Sequence, residues 1–449
     1  MDYFKPYSIA ADETILAAWD SQVAKVESDT QLAKSLAAQS ADLFPRFAAR
    51  YAELRALPRG ARRSLQRRIA RSGELGESSP ERLQGRAGNA APSKLASSLA
   101  GAALFLALAR GAAPAATINV DTDVPTVAAD GLCSLVEAII NANDDAASHA
   151  DCASGAGADT IMLLSTATHT IVKNYGAGTY GATRLPEVTS DITIEGNGST
   201  ITRQAQGKLS RLIAVEETGI LTLKNTIVTG GRSTQGGGIF NAGSLVIYGS
   251  TISTNSATKA GGGVFNRGTA ALTNGSVITE NTAYKGGGVH NGSELTIDGS
   301  TISDNTAGRL GGGIHNNDTI TITNSVITGN KAEYGGGLFI NDRDEATIDN
   351  TTISNNRALG RARSGGGGIF NDDATLNVAN SDITGNKSRS GAGVFNDGRF
   401  HLDDSTVTDN AATYRCGGIF NNRPDTTIKG GSTTISGNHA PRFPNNCSL

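Results

Sequence analysis

GGGVHNGSELTIDGSTISDNTAGRLGGGIHN, residues 286–316, holds one full period of this chain and decides its fold. The stretch opens and closes on the same short phrase, and that phrase recurs on both sides. It reads GGGIFN at 236–241, GGGVFN at 261–266, GGGVHN at 286–291 and GGGIHN at 311–316. It goes on as GGGLFIN at 335–341, GGGIFN at 366–371, GAGVFN at 391–396 and CGGIFN at 416–421. The starts lie 25, 25, 25, 24, 31, 25 and 25 residues apart, and self-similarity at such a period means a solenoid.

A second phrase runs between the copies. Its central apolar residue is Ile252, Ile278, Ile302, Ile327, Ile353, Ile383, Val407 and Ile435. A Ser or Thr follows each time, and two residues after that stands Asn255, Asn281, Asn305, Asn330, Asn356, Asn386, Asn410 and Asn438. Strand alternation turns the Ile column inward and the Ser/Thr column outward. The Asn column falls where a strand ends, so each amide can bond a turn backbone and the Asn of the next coil.

Competing repeats fail on residues. A helical repeat needs a longer period and two amphipathic helices, while this period has β-branched alternation and recurrent Gly. No LxxLxL frame and no GGxGxD calcium phrase is present. The fold expected is therefore all-β: a right-handed parallel β-helix over 161–449, with one turn per ~25 residues stacked at ~4.8 Å. Counting from Thr117 gives roughly thirteen coils, on the order of 60 Å of rod. The longer interval between 341 and 366 should leave the rod as loops at Asp342–Glu345 and Leu359–Gly365. Less regular coils precede the repeat at Asp191–Ile194, Ser199–Ile201 and Ile220–Val228.

Composition fits this reading. The 449 residues include 56 Gly, with 5% aromatic and 18% charged, which suits short strands and tight turns rather than a Leu-rich bundle. Residues 1–116 carry 16 Lys/Arg and 11 Asp/Glu, a net +5; the remainder carries 23 and 31, a net −8. An acidic body with few aromatics argues against nucleic acid, which needs a positive footprint. The leader divides further. Residues 1–71 read as basic and helical, with Arg59, Arg62, Arg63, Arg67, Arg68 and Arg71, and 72–93 as a linker rich in Gly, Ser, Pro and Glu. Residues 94–116 resemble a signal peptide: Lys94, an apolar run from Leu95 to Ala109, and Ala113-Pro114-Ala115 as a cleavage pattern. The run is shorter than the ~20 residues of a membrane span, so no integral span is expected in the mature chain. Cys133, Cys152, Cys416 and Cys447 all lie beyond it, in two local couples. Disulfides in an oxidising compartment are the expectation; metal ligation, the alternative, lacks CxxC spacing and a neighbouring His.

Cys133-Ser134-Leu135-Val136-Glu137-Ala138-Ile139, with Asn141, Asn143, Cys152 and Asp159-Thr160-Ile161, resembles the CSLREA motif of secreted bacterial β-helix proteins. Val136 stands where that family has Arg. The GG[GA][IV] and FN phrases are similar to the repeats of the polymorphic outer membrane protein family. The resemblance covers roughly 117–449 and implies an N-terminal cap over 117–160. In it a short helix near Leu135–Asn143 closes the tube, pinned by Cys133–Cys152, and at the far end Cys416–Cys447 ties down the tail. The polymorphic family continues into a membrane barrel that is not seen in this sequence, so release or loose surface association is expected.

Enzymatic β-helices set the test for chemistry. A lyase wants an acidic Ca²⁺ cluster beside a basic residue, and a hydrolase paired carboxylates. Asp342, Asp372, Asp373 and Asp397 follow the repeat Asn on neighbouring coils and are the catalytic candidates; solvated Asp-rich turns are the plainer account. No cofactor is expected beyond a Ca²⁺ at these carboxylates. His290 and His315 replace Phe in a column with Phe240, Phe265, Phe339, Phe370, Phe395 and Phe420. They are the metal candidates, against simple stacking in an aromatic ladder. Thr251–Ser253, Thr301–Ser303, Thr352–Ser354, Thr406–Thr408 and Thr434–Ser436 form a hydroxyl array that could meet ice or a glycan, interrupted at Val277, Val326 and Asp382. The leading functional reading is an exported, non-enzymatic β-helix for adhesion or recognition, with a carbohydrate or cell-surface partner. A polysaccharide lyase or glycoside hydrolase is the alternative, and a purely structural rod the third.

Overall fold

The computed structural model describes residues 115–442, apart from 177, 179, 205–208, 342–344, 361–364, 423–425 and 430–431. The leader 1–71, the linker 72–93, the apolar run 95–109, Asp342 and Cys447 lie outside the described residues. The chain divides into two units, Met1–Gly111 and Ala112–Leu449, and the second carries the coils.

One coil shows how the phrases become strands. Glu294–Asp298, Thr301–Ser303, Thr306–Leu310 and Ile314–Asn316 are its four strands. Each pairs in parallel with its counterpart one coil earlier and one coil later. Stacking produces four sheets, named here A to D in the order the chain meets them, with twelve, eleven, eight and nine strands. Inward Leu295, Ile297, Ile302 and Ile314 are at most 1% exposed, and their column continues as one core from Ile118 to Ile419. Sheet C turns Ala257, Ala307, Ala332, Ala358 and Ala412 inward instead.

The glycine phrase is a corner between sheets C and D. Gly286 sits at φ +59°, where any side chain is strained. A Cβ on Gly287 would lie 2.5 Å from the carbonyl oxygen of Gly312 in the next coil. The positive φ recurs at the head of each phrase, held by Cys416 at +56° in the last copy, and the crowded second position is Gly in every copy but one, where it is Ala392.

Three polar ladders line the inside corners. At the B–C corner each Asn of the predicted column bonds the next: Asn305 Nδ2 donates to Asn330 Oδ1 (3.0 Å), and Asn330 Nδ2 to Asn356 Oδ1 (3.0 Å). The series runs without a gap from Asn255 to Asn438. At the D–A corner a second ladder joins Asn241, Asn266, Asn291 and Asn316, then resumes at Asn371, Asn396 and Asn421. At the A–B corner buried hydroxyls of Ser300, Ser325, Thr351, Ser381 and Ser405 bond the backbone one coil back or their own turn. Buried polar groups need such partners, and here the repeat itself supplies them.

The structure forms about nine coils, fewer than the thirteen expected from length: the longest sheet has twelve strands, but sheets C and D have only eight and nine. Residues 121–157 form the end cap and 172–190 an irregular excursion with an antiparallel bridge at Gly176 and Thr183, so neither stretch yields a full coil. The cap contains helix α1, Leu135–Asp144, started by a reciprocal Ser134–Glu137 capping box. A Cys133–Cys152 disulfide flanks it, with Cα atoms 4.7 Å apart. Val136 is fully buried. Asn141 accepts from the His149 amide (2.8 Å) and donates to the Ala153 carbonyl (3.0 Å), which folds the following loop under the helix. Among the described residues no helix is long and apolar enough to cross a membrane.

Candidate functional site

The sequence candidates separate cleanly in space. Asp372 and Asp397 each follow a ladder Asn, and Asn371 and Asn396 are in register, so the two carboxylates stand one coil apart. Both are half-buried, and Asn422 Nδ2 donates to Asp397 Oδ1 at 3.1 Å. Asp373 occupies a left-handed turn position at φ +62°. Among the described residues no group of three or more His, Cys, Asp or Glu side chains is placed to hold a metal ion.

His290 and His315 lie in the aromatic column. Their ring centroids are 4.8 Å apart, with Phe265 4.7 Å below and Phe339 5.5 Å above. One imidazole donates Nδ1–H to the other's Nδ1 across 2.7 Å. Burial pushes His290 down to about 4 and His315 to about 2, with nearby Lys285 adding to both and His290 opposing the charging of His315. Both rings are therefore neutral at pH 7, and the Nε2 of His315 is buried without a partner. The two rings stack on one another and on the Phe residues either side.

The hydroxyl array of sheet B is in register as expected, but its members bond one another. Ser303 Oγ donates to Thr279 Oγ1 (3.0 Å) and Ser354 Oγ to Thr328 Oγ1 (3.1 Å). Val277 and Val326 interrupt the outer column at adjacent registers of Thr301.

Sheet C holds what sequence reasoning missed. Each of its eight strands carries a cation and none carries a carboxylate. Arg232, Lys259, Lys285 and Arg309 supply the first four strands. Lys331, Arg357, Lys387 with Arg389, and Arg415 supply the rest. All are exposed except Lys285 and Arg415, which are half-buried. Lys331, Arg357 and Lys387 are in strict register, so three positive side chains stack one coil apart. Carboxylates stand at the margins: Glu280, Asp304 and Asp409 in the preceding turn, and Glu333 just past one strand. Sheet A has the opposite sign, with eight Asp/Glu in its strands against Lys224, Arg399 and Lys429. The net −8 of the body therefore conceals two faces of opposite charge.

Toward the C-terminal end this basic face deepens into a groove of about 710 Å³, whose lining includes Arg357, Lys387, Arg389, Thr413 and His439. Tyr414, next to the lining residue Thr413, has the guanidinium groups of Arg389, Arg415 and Arg442 at 4.9, 5.2 and 5.7 Å from its ring centroid. Leu359 and Gly360, from the long interval of the repeat, form part of the wall. A signal for this site existed in the sequence: between every repeat Asn and the following glycine phrase stands at least one Lys or Arg.

Comparison with known proteins defines the class. A family described as the right handed beta helix region matches residues 288–441, and the coils are those of a right-handed parallel β-helix. No curated protein sequence matches the chain. Among solved structures, the crystal structure of pectate lyase Pel9A is similar over 75% of this chain and 82% of that one, at 12% identity and a TM-score of 0.38. That likeness bears on neither ligand nor chemistry.

Proposed function

We propose that this protein is an exported β-helix that acts in adhesion or recognition, binding a carbohydrate or a cell-surface partner on a strand face without cleaving it. The exposed face of sheet C carries the reading: an uninterrupted run of cations on parallel strands is a surface built to hold a long partner, and it contains no paired carboxylates. Export draws support from the signal-like segment 94–116, the CSLREA-like start, the Cys133–Cys152 disulfide and a disulfide-bonded Cys416. The test uses the full chain under non-reducing conditions with neutral and acidic polysaccharides. Co-sedimentation is read beside new reducing ends and unsaturated-sugar absorbance. Binding without product is the expected result, and turnover on any polymer overturns it.

Asp372 and Asp397, one coil apart, favour a second reading: a polysaccharide-degrading enzyme. Turnover abolished by Asp372→Asn with Asp397→Asn in a protein of unchanged Tm would establish it. Neither binding nor turnover would leave a structural rod.

A further inference from the structure

The geometry points to an acidic polysaccharide as the occupant of sheet C, lying lengthwise with roughly one carboxylate or sulfate group facing each coil. This rests on the recognition reading above and names its ligand.

Spacing comes first. Lys331, Arg357 and Lys387 repeat at the coil rise of ~4.8 Å, and like charges stacked at that distance repel unless counter-charge of similar period lies beside them. A linear polyanion whose acidic groups recur at about the coil rise, roughly 5 Å, would match this period. A polymer with an acidic group on each sugar therefore meets a cation on each strand, while a lone small anion would relieve only one pair. Eight strands span about 34 Å, enough for roughly seven sugars.

Width comes second. The basic strip is bordered by Glu280, Asp304 and Asp409 at the B–C turn, with Glu333 just past one strand on the other side. A single narrow chain fits between these flanks, whereas a broad polyanion such as duplex nucleic acid overlaps the carboxylates and is repelled. Tyr414, at one end of the strip, is faced by three guanidinium groups, while Tyr284 in an earlier strand of the sheet is exposed, so base stacking is left to the DNA arms of the test. The groove at Arg357, Lys387 and Arg389 is where contact is closest, so affinity should concentrate there.

The experiment titrates the full-length protein with alginate, with carboxyl-reduced alginate, with a sulfated glycan, with dextran and with single- and double-stranded DNA. Alginate should bind, carboxyl-reduced alginate and dextran should not, and affinity should fall at least tenfold between about 50 and 500 mM salt. The Lys331→Gln, Arg357→Gln, Lys387→Gln triple variant removes exposed side chains only and should keep the wild-type Tm. Its affinity for alginate should drop by about tenfold. Glu294→Gln on sheet A is the control and should bind as wild type. Sulfated glycan binding with alginate ignored would identify sulfate as the acidic group, within the same inference. Equal binding of dextran, or binding indifferent to salt, overturns the inference and leaves recognition of a neutral glycan standing. Preference for either DNA also overturns it. Failure to bind any glycan removes the recognition reading itself.

Discussion

Two columns of buried asparagine run through the coils, and only one is unbroken. At the B–C corner, eight residues from Asn255 to Asn438 pass a hydrogen bond from each coil to the next. At the D–A corner the chain reads GGGLFIN at 335–341, one residue longer than its neighbours, and Ile340 takes the register position of the Asn. Asn371 Oδ1, which would have accepted from that position, is left buried and unpartnered. Asn316 turns its amide to the Asp318 carbonyl instead. A single insertion is thus absorbed at one corner because the other corner keeps the coils in phase.

The comparison predicts where the fold is fragile. Asn330 donates to the Ile302 carbonyl (2.9 Å) and to Asn356 Oδ1, while its own Oδ1 accepts from both nitrogens of Asn305. Asn330→Leu keeps the volume but strands several buried groups, each worth about 1–3 kcal/mol. A loss of about 4 kcal/mol in urea unfolding is expected, larger than for Asn316→Leu in the interrupted column. Equal losses at the two sites would dissolve the distinction.

Acid should attack the interrupted column preferentially, since His290 and His315 belong to the strands that carry Asn291 and Asn316. Their pKa values are lowered by folding, so the stabilising form is the neutral one. That contribution is complete above the ordinary His value of about 6.5 and is lost as pH falls toward the folded values of about 4 and about 2. The rings share a proton bridge and titrate as a pair. Between pH 6.5 and 4, stability should drop by roughly 3 kcal/mol as the pair takes up its first proton. Replacing both by Phe, as the rest of the column has it, should flatten that limb in denaturation curves taken at several pH values.

A third change presses on the unbroken ladder from outside. A Cβ on Gly288 would lie 2.9 Å from Asn305 Nδ2 and 2.7 Å from the Gly313 carbonyl. Gly288→Ala should therefore cost about 2 kcal/mol by overpacking. It should also weaken amide protection at Asn305 before that at Asn291, which hydrogen exchange would resolve.

How much of this was readable beforehand follows from which residues each feature requires. The period was plain because Gly286 sits at a positive φ and a Cβ on Gly287 would crowd the next coil, conditions that keep glycine at these positions in every copy except at Ala392 and Cys416. The B–C Asn column and the aromatic column were readable for the same reason, one residue type at one register. The basic face was not. A Lys or Arg stands in every interval, but its strands shift register at bulges between coils, so Lys285 pairs with Ala260 and Leu310 rather than with Lys259 and Arg309, and no single column of cations repeats in the sequence. The hydroxyl ladder at the A–B corner is as regular, with Ser250, Ser276, Ser300, Ser325, Thr351, Ser381 and Ser405 each two residues before the inward Ile or Val, but Ser and Thr are ordinary turn residues and carry no sign of burial.

The smallest expected effect is the most discriminating. Ile340→Asn would restore the missing member of the D–A column and offer Asn371 Oδ1 a donor. Satisfying that buried oxygen should return about 1–3 kcal/mol. Against it stands the apolar burial of Ile340, which is fully enclosed and worth about 1.5–3 kcal/mol. The two nearly cancel, so the change in stability should stay within about 1 kcal/mol. The sign then decides between two accounts of the ladder. A gain in urea midpoint would mean that the one-residue insertion left a defect the protein tolerates. A loss of several kcal/mol would mean that Ile340 has become the local core and that the amides merely fill space. In that case the unbroken column owes its strength to its neighbours rather than to its own hydrogen bonds, and Asn330→Leu should prove equally mild.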